Sequence, residues 1–194
     1  MSTTSVSLLQ RLKTAKPDSE DWRRLDQMYR PMIARWLVRA SVAADDIPDL
    51  TQNVLLTVAH EVSSFERNWV GAFRGFLRTI TTHRIRAHWR DRKRQPSGPG
   101  GDGPFEFLGQ LEDPNSELSH EWDREHDQVV YDKLLAIVER DFEPTTRQAF
   151  KRFLLDGIPA LQVAAELGIS ENAVYLAKSR ILERLREEAA GLLD

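Results

Sequence analysis

Three features of this sequence predict an all-α fold of two small helical domains joined by a flexible linker. Apolar residues recur at helical spacing wherever they are dense, a Pro/Gly-rich stretch near residue 100 interrupts that spacing, and the charge changes sign across the interruption. Residues 1–95 hold 17 Lys/Arg against 10 Asp/Glu, residues 96–120 hold none against 5, and residues 121–194 hold 10 against 15, so the formal net charge of −3 conceals a basic first half. The boundaries that follow are 1–95 for the first domain, 96–119 for an acidic linker and 120–194 for the second domain. Such asymmetry suits nucleic-acid contact, and it equally suits a solvated face.

A chain of 194 residues that is 41% hydrophobic and 29% charged is too apolar for wholesale disorder and can fill a core in each half. It has no cysteine, which excludes disulfides and thiolate metal sites. The start "MSTTSVSLLQRLKTAKPD" lacks the basic and then apolar order of a signal peptide, and no window approaches an uninterrupted membrane span. The expectation is a soluble, cytoplasmic protein with no membrane insertion.

The first helix is read from "SEDWRRLDQMYRPMIARWLVRA", where Trp22, Leu25, Met28, Tyr29, Met32, Ile33, Trp36 and Leu37 share one face. Pro31 removes a backbone donor and predicts a kink near Tyr29. The second helix starts in "DDIPDLTQNVLLTVAHEVSSF" with Asp45 or Asp46 as cap, Pro48 tolerated in the first turn, and Leu50, Val54, Leu55, Val58 and Val62 facing inward. A third helix, "AFRGFLRTITTHRIRAHWRDRKR", sets Phe73, Phe76, Leu77, Ile80, Ile85 and Trp89 on one side, with Arg78, Arg84, Arg86, Arg90, Arg92, Lys93 and Arg94 elsewhere.

"QPSGPGGDGPFEFLGQLEDPNSELS" has the composition of a tether, although Phe105, Phe107, Leu108 and Leu111 are unusually apolar for one. Helical spacing returns from about His120, through Trp122, Val129, Val130, Leu134, Ile137 and Val138. His120 and His126 read as solvated positions. In "ALQVAAELGISENAVYLAKSRILERLREE", Val163, Ala164 and Leu167 line a short helix, Gly168 supplies a left-handed turn residue, Ile169 plugs the turn, and Ser170 caps a second helix with Val174, Ala177, Ile181 and Leu185 inward. That is the spacing of a helix-turn-helix, and an ordinary helical hairpin with a glycine cap has the same elements. In the DNA-binding reading, Ser170, Glu171, Asn172, Tyr175, Lys178 and Ser179 reach toward bases and Arg180 lies nearer phosphate.

A basic helical domain, a linker and a C-terminal helix-turn-helix together resemble the extracytoplasmic-function (ECF) group of the bacterial sigma-70 family. The likeness covers nearly the whole chain. "DLTQNVLLTV" is similar to the family's D-L-x-Q helix, and "FRGFLRTITTHRIRAHWRDRKR" is similar to its promoter −10 helix, with Phe73, Arg74, Leu77, Arg78 and Ile80 matching. The resemblance implies a region 2-like domain that binds core RNA polymerase through Asp49, Leu50, Gln52, Asn53 and Leu56. It also implies −10 contacts by Phe65, Asn68, Trp69, Arg78, His83, Arg84, Arg86, Trp89, Arg90, Lys93 and Arg94, with the Phe65 to Trp69 loop cradling an unpaired base. For Trp69 and Trp89 the alternative is core packing. The C-terminal half would be a region 4-like domain at the −35 element, and the linker would thread the polymerase cleft.

The function implied is therefore a sigma factor that binds core RNA polymerase and directs promoter recognition, melting and initiation, with promoter DNA as second partner and an anti-sigma factor or other regulator as a further one. The alternative is a stand-alone helix-turn-helix regulator that binds DNA without polymerase. An enzyme is not expected: "GPGGDGP" lacks the G-K-[S/T] of a phosphate loop, and His60, His83, His88, His120 and His126 show no metal-binding spacing, so neither cofactor nor metal is implied.

Overall fold

The computed structural model describes residues 7–16, 19–66, 69, 71–93 and 103–193. No strand occurs among them. The helices are α1 (Leu8–Leu12), α2 (Glu20–Arg39), α3 (Ile47–Glu61), α4 (Ala72–Lys93), α5 (Gly103–Glu112), α6 (Glu117–Val138), α7 (Pro144–Phe150), α8 (Ala160–Leu167) and α9 (Glu171–Ala189). The all-α expectation holds. The chain divides into two compact units, one built on residues 8–130 and the other on residues 131–190, and the division falls inside α6.

In the first unit, Ser19 opens α2 by accepting a hydrogen bond from the Trp22 backbone N–H at 3.4 Å, and Glu20 and Asp21 sit in the first turn where the helix dipole favours them. Leu25, Met28, Tyr29, Met32, Ile33, Trp36 and Leu37 are all buried, and the helix runs on past Pro31. Asp46 stands at the N-cap of α3 without a side-chain cap bond, because its carboxylate instead faces Arg92 at 2.9 Å. Behind it Leu50, Val54, Leu55 and Val58 are buried. The turn into α4 uses Gly71 at φ 77, where an added Cβ would lie 2.6 Å from the Arg74 guanidinium.

The expected linker is not a tether over the part described. Residues 94–102 lie outside the described residues, but Gly103–Glu112 form α5, with Leu108 and Leu111 fully buried. The apolar side chains that sit oddly in a tether are its core face. The second correction is larger: the expected domain start at 120 falls within a segment that belongs to the first unit up to Val130. Ser119, Trp122, His126 and Val130, spaced three or four apart, are each 0% exposed. Trp122 meets Trp36 edge-on with centroids 5.1 Å apart, and its indole N–H donates to the Arg74 carbonyl at 3.3 Å. His126, expected in solvent, lies on the Tyr29 ring at 5.5 Å, its Nε2 is 3.0 Å from the Tyr29 hydroxyl and its Nδ1 is 3.1 Å from Asp127.

Carboxylates flank this stripe on both sides. On one side Glu125 accepts from Arg35 Nε at 2.7 Å and from the Trp36 indole N–H at 2.7 Å, and Glu121 accepts from Arg39 at 2.8 Å. On the other, Asp127 accepts from Arg74 at 3.0 Å and Asp123 from Arg78 at 3.2 Å. Each row pairs residues four apart on α6 with residues four apart on α2 or α4 in reverse order. The first half of α6 is thus seated antiparallel to both helices.

The second unit is built on α7, α8 and α9. Ala149, Ala160, Val163, Ala164, Val174 and Ala177 form its small-residue core, with Phe153, Ile158, Leu167 and Ile169 packed against it. Small side chains at 160, 164 and 177 let α8 and α9 approach closely. Gly168 closes α8 in the left-handed region at φ 65, its N–H bonded to the Ala164 carbonyl. Ser170 then caps α9, its hydroxyl accepting from the Ala173 N–H at 3.1 Å. Between α7 and α8 the chain makes one π-helical turn, Lys151–Leu155.

Two outcomes test this seating. Trp122→Ala should destabilise the protein by about 3–5 kcal/mol in chemical denaturation, whereas Trp69→Ala, at a side chain 64% exposed, should change it by no more than about 0.5 kcal/mol. Burial lowers the pKa of His126 from 6.5, against the opposing pull of Asp127. The unfolded chain therefore binds the extra proton first, and stability fully present above about pH 6.5 should fall as pH drops toward the folded value. His126→Gln should remove that part of the pH slope, read from denaturation midpoints between about pH 7.5 and 5.

Candidate functional site

The arginines of α4 divide between two faces, and the division decides which can meet a ligand. Arg74, Arg78 and Arg86 lie toward α5 and α6. Arg74 and Arg78 are held by Asp123 and Asp127, and Arg86 makes a bidentate pair with Glu112 of α5 at 2.6 and 2.7 Å. The Glu112 carboxyl is held below its ordinary pKa chiefly by that hydrogen bond. Arg78 also donates to the Ser119 carbonyl at 3.4 Å, and its side chain is only 15% exposed. These groups fasten α5 and α6 to α4.

The opposite face of α4 is open. His83 and Arg84 are exposed there, and Arg90, one turn beyond Arg86, is exposed outside the α3–α4 cleft. With α3 this face makes a cleft of about 300 Å³ lined by Thr57, Glu61, Phe76, Thr79, Ile80, His83, Arg84 and Ala87. Arg84 Nε donates to the Thr57 hydroxyl at 2.9 Å, which steadies the guanidinium at the rim while leaving its Nη groups to meet an anion. The cleft thus combines an apolar floor of Phe76 and Ile80 with a cationic edge.

The Phe65 to Trp69 loop is also split. Phe65 is buried, its ring 4.9 Å from Phe76 and 5.7 Å from Phe73, and its carbonyl accepts from Lys13. Trp69 is exposed. Asn68 lies outside the described residues, as does Arg94, and so does the side chain of Lys93. Trp89, for which the sequence leaves both core packing and a ligand contact open, is buried, and its indole N–H donates to the Ala40 carbonyl at 3.2 Å. A bonded donor and a covered ring leave it no role in stacking on a base.

On α3, Asp49, Gln52, Asn53 and Leu56 face solvent and Leu50 faces the core. Leu50 therefore supports the helix from behind. Between α2 and α3 a largely apolar groove of about 240 Å³ is lined by Trp22, Arg23, Leu25, Asp26, Gln52, Leu55, Leu56 and Ala59. Gln52 is fixed at its edge by accepting from Arg30 at 2.6 Å, and Arg30 in turn is paired with Asp26. Leu56, 56% exposed, is its most solvent-facing large apolar side chain. Ala59 and Trp22 are not anticipated in this face from sequence, and the second is legible in the periodicity only as part of a core stripe.

On the second unit, Ser170 is occupied as the α9 cap. Glu171, Asn172, Tyr175, Ser179 and Arg180 are exposed along the same helix, while Lys178 turns back so that its Nζ lies 5.5 Å from the Phe153 ring centroid. Leu176, absent from the expected set, is exposed among them. Among the described residues no cluster of His, Asp and Glu is placed to hold a metal ion. None of their helices is long and apolar enough to cross a membrane.

Residues 25–95, which run from within α2 to just past α4, match the family model of Sigma-70 region 2. The match lies within the first unit and covers none of the residues after 95. No curated protein matches the chain.

The two faces of α4 make separable expectations. Arg78→Ala and Arg86→Ala should each lower the melting temperature at low salt, with the difference shrinking at high salt as the partner carboxylates are screened. Arg84→Ala and Arg90→Ala should leave it nearly unchanged in the same scan.

Proposed function

We propose that this chain is a sigma factor of the ECF type: it binds core RNA polymerase, directs it to promoters and helps open the −10 region. The observation that carries the proposal is the Sigma-70 region 2 match over residues 25–95, whose helices bear both an apolar groove and a separate cationic cleft. In this reading the α2–α3 groove, with Gln52 and Leu56 at its lip and Asp49 and Asn53 beside it, takes a helix of the polymerase. An exposed leucine beside fixed polar groups suits such docking, since the apolar contact supplies affinity and the polar rim sets the register.

The α3–α4 cleft and Trp69 act on DNA. Arg84 and Arg90 meet phosphates, His83 lies beside them, and aromatic surface at Trp69 and Phe76 receives unpaired bases, each stacked base being worth about 1–3 kcal/mol. In the second unit the α8–turn–α9 pair acts as a helix-turn-helix that places α9 in the major groove at the −35 element. The chain performs no chemistry in this reading and works in the cytoplasm with the polymerase. An anti-sigma factor would act by covering the same α2–α3 groove or the α4 cleft.

Reconstitution with purified core polymerase tests the proposal. Core enzyme plus this chain should give promoter-specific transcripts from the genomic DNA of its own source, and core alone should not. Leu56→Ala and Gln52→Ala should weaken core binding about tenfold or more in a titration while leaving the melting temperature within a degree or two, as befits exposed positions. Arg84→Ala with Arg90→Ala should flatten the salt dependence of promoter binding by a slope of roughly 0.9 for each phosphate no longer neutralised. Absence of both polymerase binding and transcription would refute the sigma reading.

A further inference from the structure

The chemistry of the outer face of α9 points to the kind of base pair it reads. Over its first two turns that face presents Glu171, Asn172, Tyr175 and Leu176, all exposed. None is an arginine or lysine. The commonest reader of guanine is a cation making a bidentate pair to O6 and N7, and it is missing here. The first lysine, Lys178, is drawn back over Phe153. The first arginine, Arg180, is a further turn along, where a recognition helix reaches phosphate.

Glu171, a residue able to accept from the cytosine amino group, is drawn along the helix by Tyr175, whose hydroxyl donates to its Oε1 at 3.3 Å. Tyr175 is held at its other end too, its ring edge-on to Phe153 with centroids 5.3 Å apart. Two consecutive large apolar surfaces, Tyr175 at 49% and Leu176 at 44% exposure, stand beside Asn172, three and four residues earlier, whose amide both donates and accepts. An asparagine amide matches adenine N6 and N7, and an apolar side chain matches the thymine methyl group. The two halves of an A·T pair present those features side by side.

We propose that α9 reads A·T pairs in the major groove, with Asn172 bonding adenine and Leu176, supported by Tyr175, packing on the thymine methyl. The assignment rests on the helix-turn-helix reading above and adds to it the base class and a specificity residue, Leu176. The absence of a cation from the reading face also means that this helix contributes selectivity more than affinity, because phosphate neutralisation supplies most of the latter.

The test uses the reconstituted holoenzyme and a promoter pool randomised across the −35 region. The selected −35 sequences should contain a run of A·T pairs. Replacing thymine by uracil in that run removes only the methyl groups and should weaken binding about three- to fivefold per contacted methyl. In Leu176→Ala holoenzyme the thymine and uracil forms should bind alike, and Asn172→Ala should relax selection at the adenine. A selected element rich in G·C, or equal binding of the thymine and uracil forms by the parent protein, would overturn the assignment while leaving the sigma reading intact. If no −35 preference emerges although transcription is promoter-specific, α9 is not a base reader and the assignment falls with that part of the reading.

Discussion

The first unit depends on the seat of the first half of α6 between α2 and α4. Trp122 and His126 fill the space between those helices, and the carboxylates on either side of them meet two rows of arginines. The apolar stripe supplies the stability, since a buried tryptophan outweighs any of the half-exposed ion pairs, each worth about 0–1 kcal/mol. The ion pairs do something else. With two carboxylates on each side matched in reverse order to two arginines, sliding α6 by one turn would keep only one of the two pairs in each row, so the pairs favour its direction and register.

This arrangement also governs what α4 has available for function. A helix with so many cations reads as uniformly basic, yet those on one side neutralise α5 and α6 and hold them in place. Among the described side chains of α4, the exposed Arg84, at the rim of the α3–α4 cleft, and the exposed Arg90 are left to meet a polyanion. The acidic stretch that follows α4 in the sequence is therefore a structural counterpart of its basic face. Neutralising part of the arginine set in this way narrows where a polyanion can bind, and it accounts for a basic half-chain inside an acidic protein.

His126 shows how a polar residue can be carried in such a core. Its two ring nitrogens face Tyr29 and Asp127, so the neutral imidazole has a partner on each side, and burial lowers its pKa. The same burial pushes the Tyr29 hydroxyl well above its ordinary pKa. Both groups stay uncharged near neutral pH, which is what lets them lie between α2, α4 and α6.

Helices α2, α3 and α4, their inward faces, and the α8–Gly168–Ser170–α9 turn are legible in the sequence, because spacing, capping and left-handed glycine are local properties written within a few residues. The open faces of α3 and α9 follow from the same periodicity, and the region 2 likeness is carried by motifs that lie within single helices. Which buried stripe meets which is not written there. The spacing of Trp122 and its neighbours announces a buried face but not its partner, so sequence alone assigns the segment forward along the chain when its contacts lie up to 97 residues back. Arg78 and Arg86 read as ligand contacts, and Trp89 reads either way, for the same reason. A side chain's charge and shape are in the sequence, whereas the carboxylate or carbonyl that uses them is set by packing between distant helices.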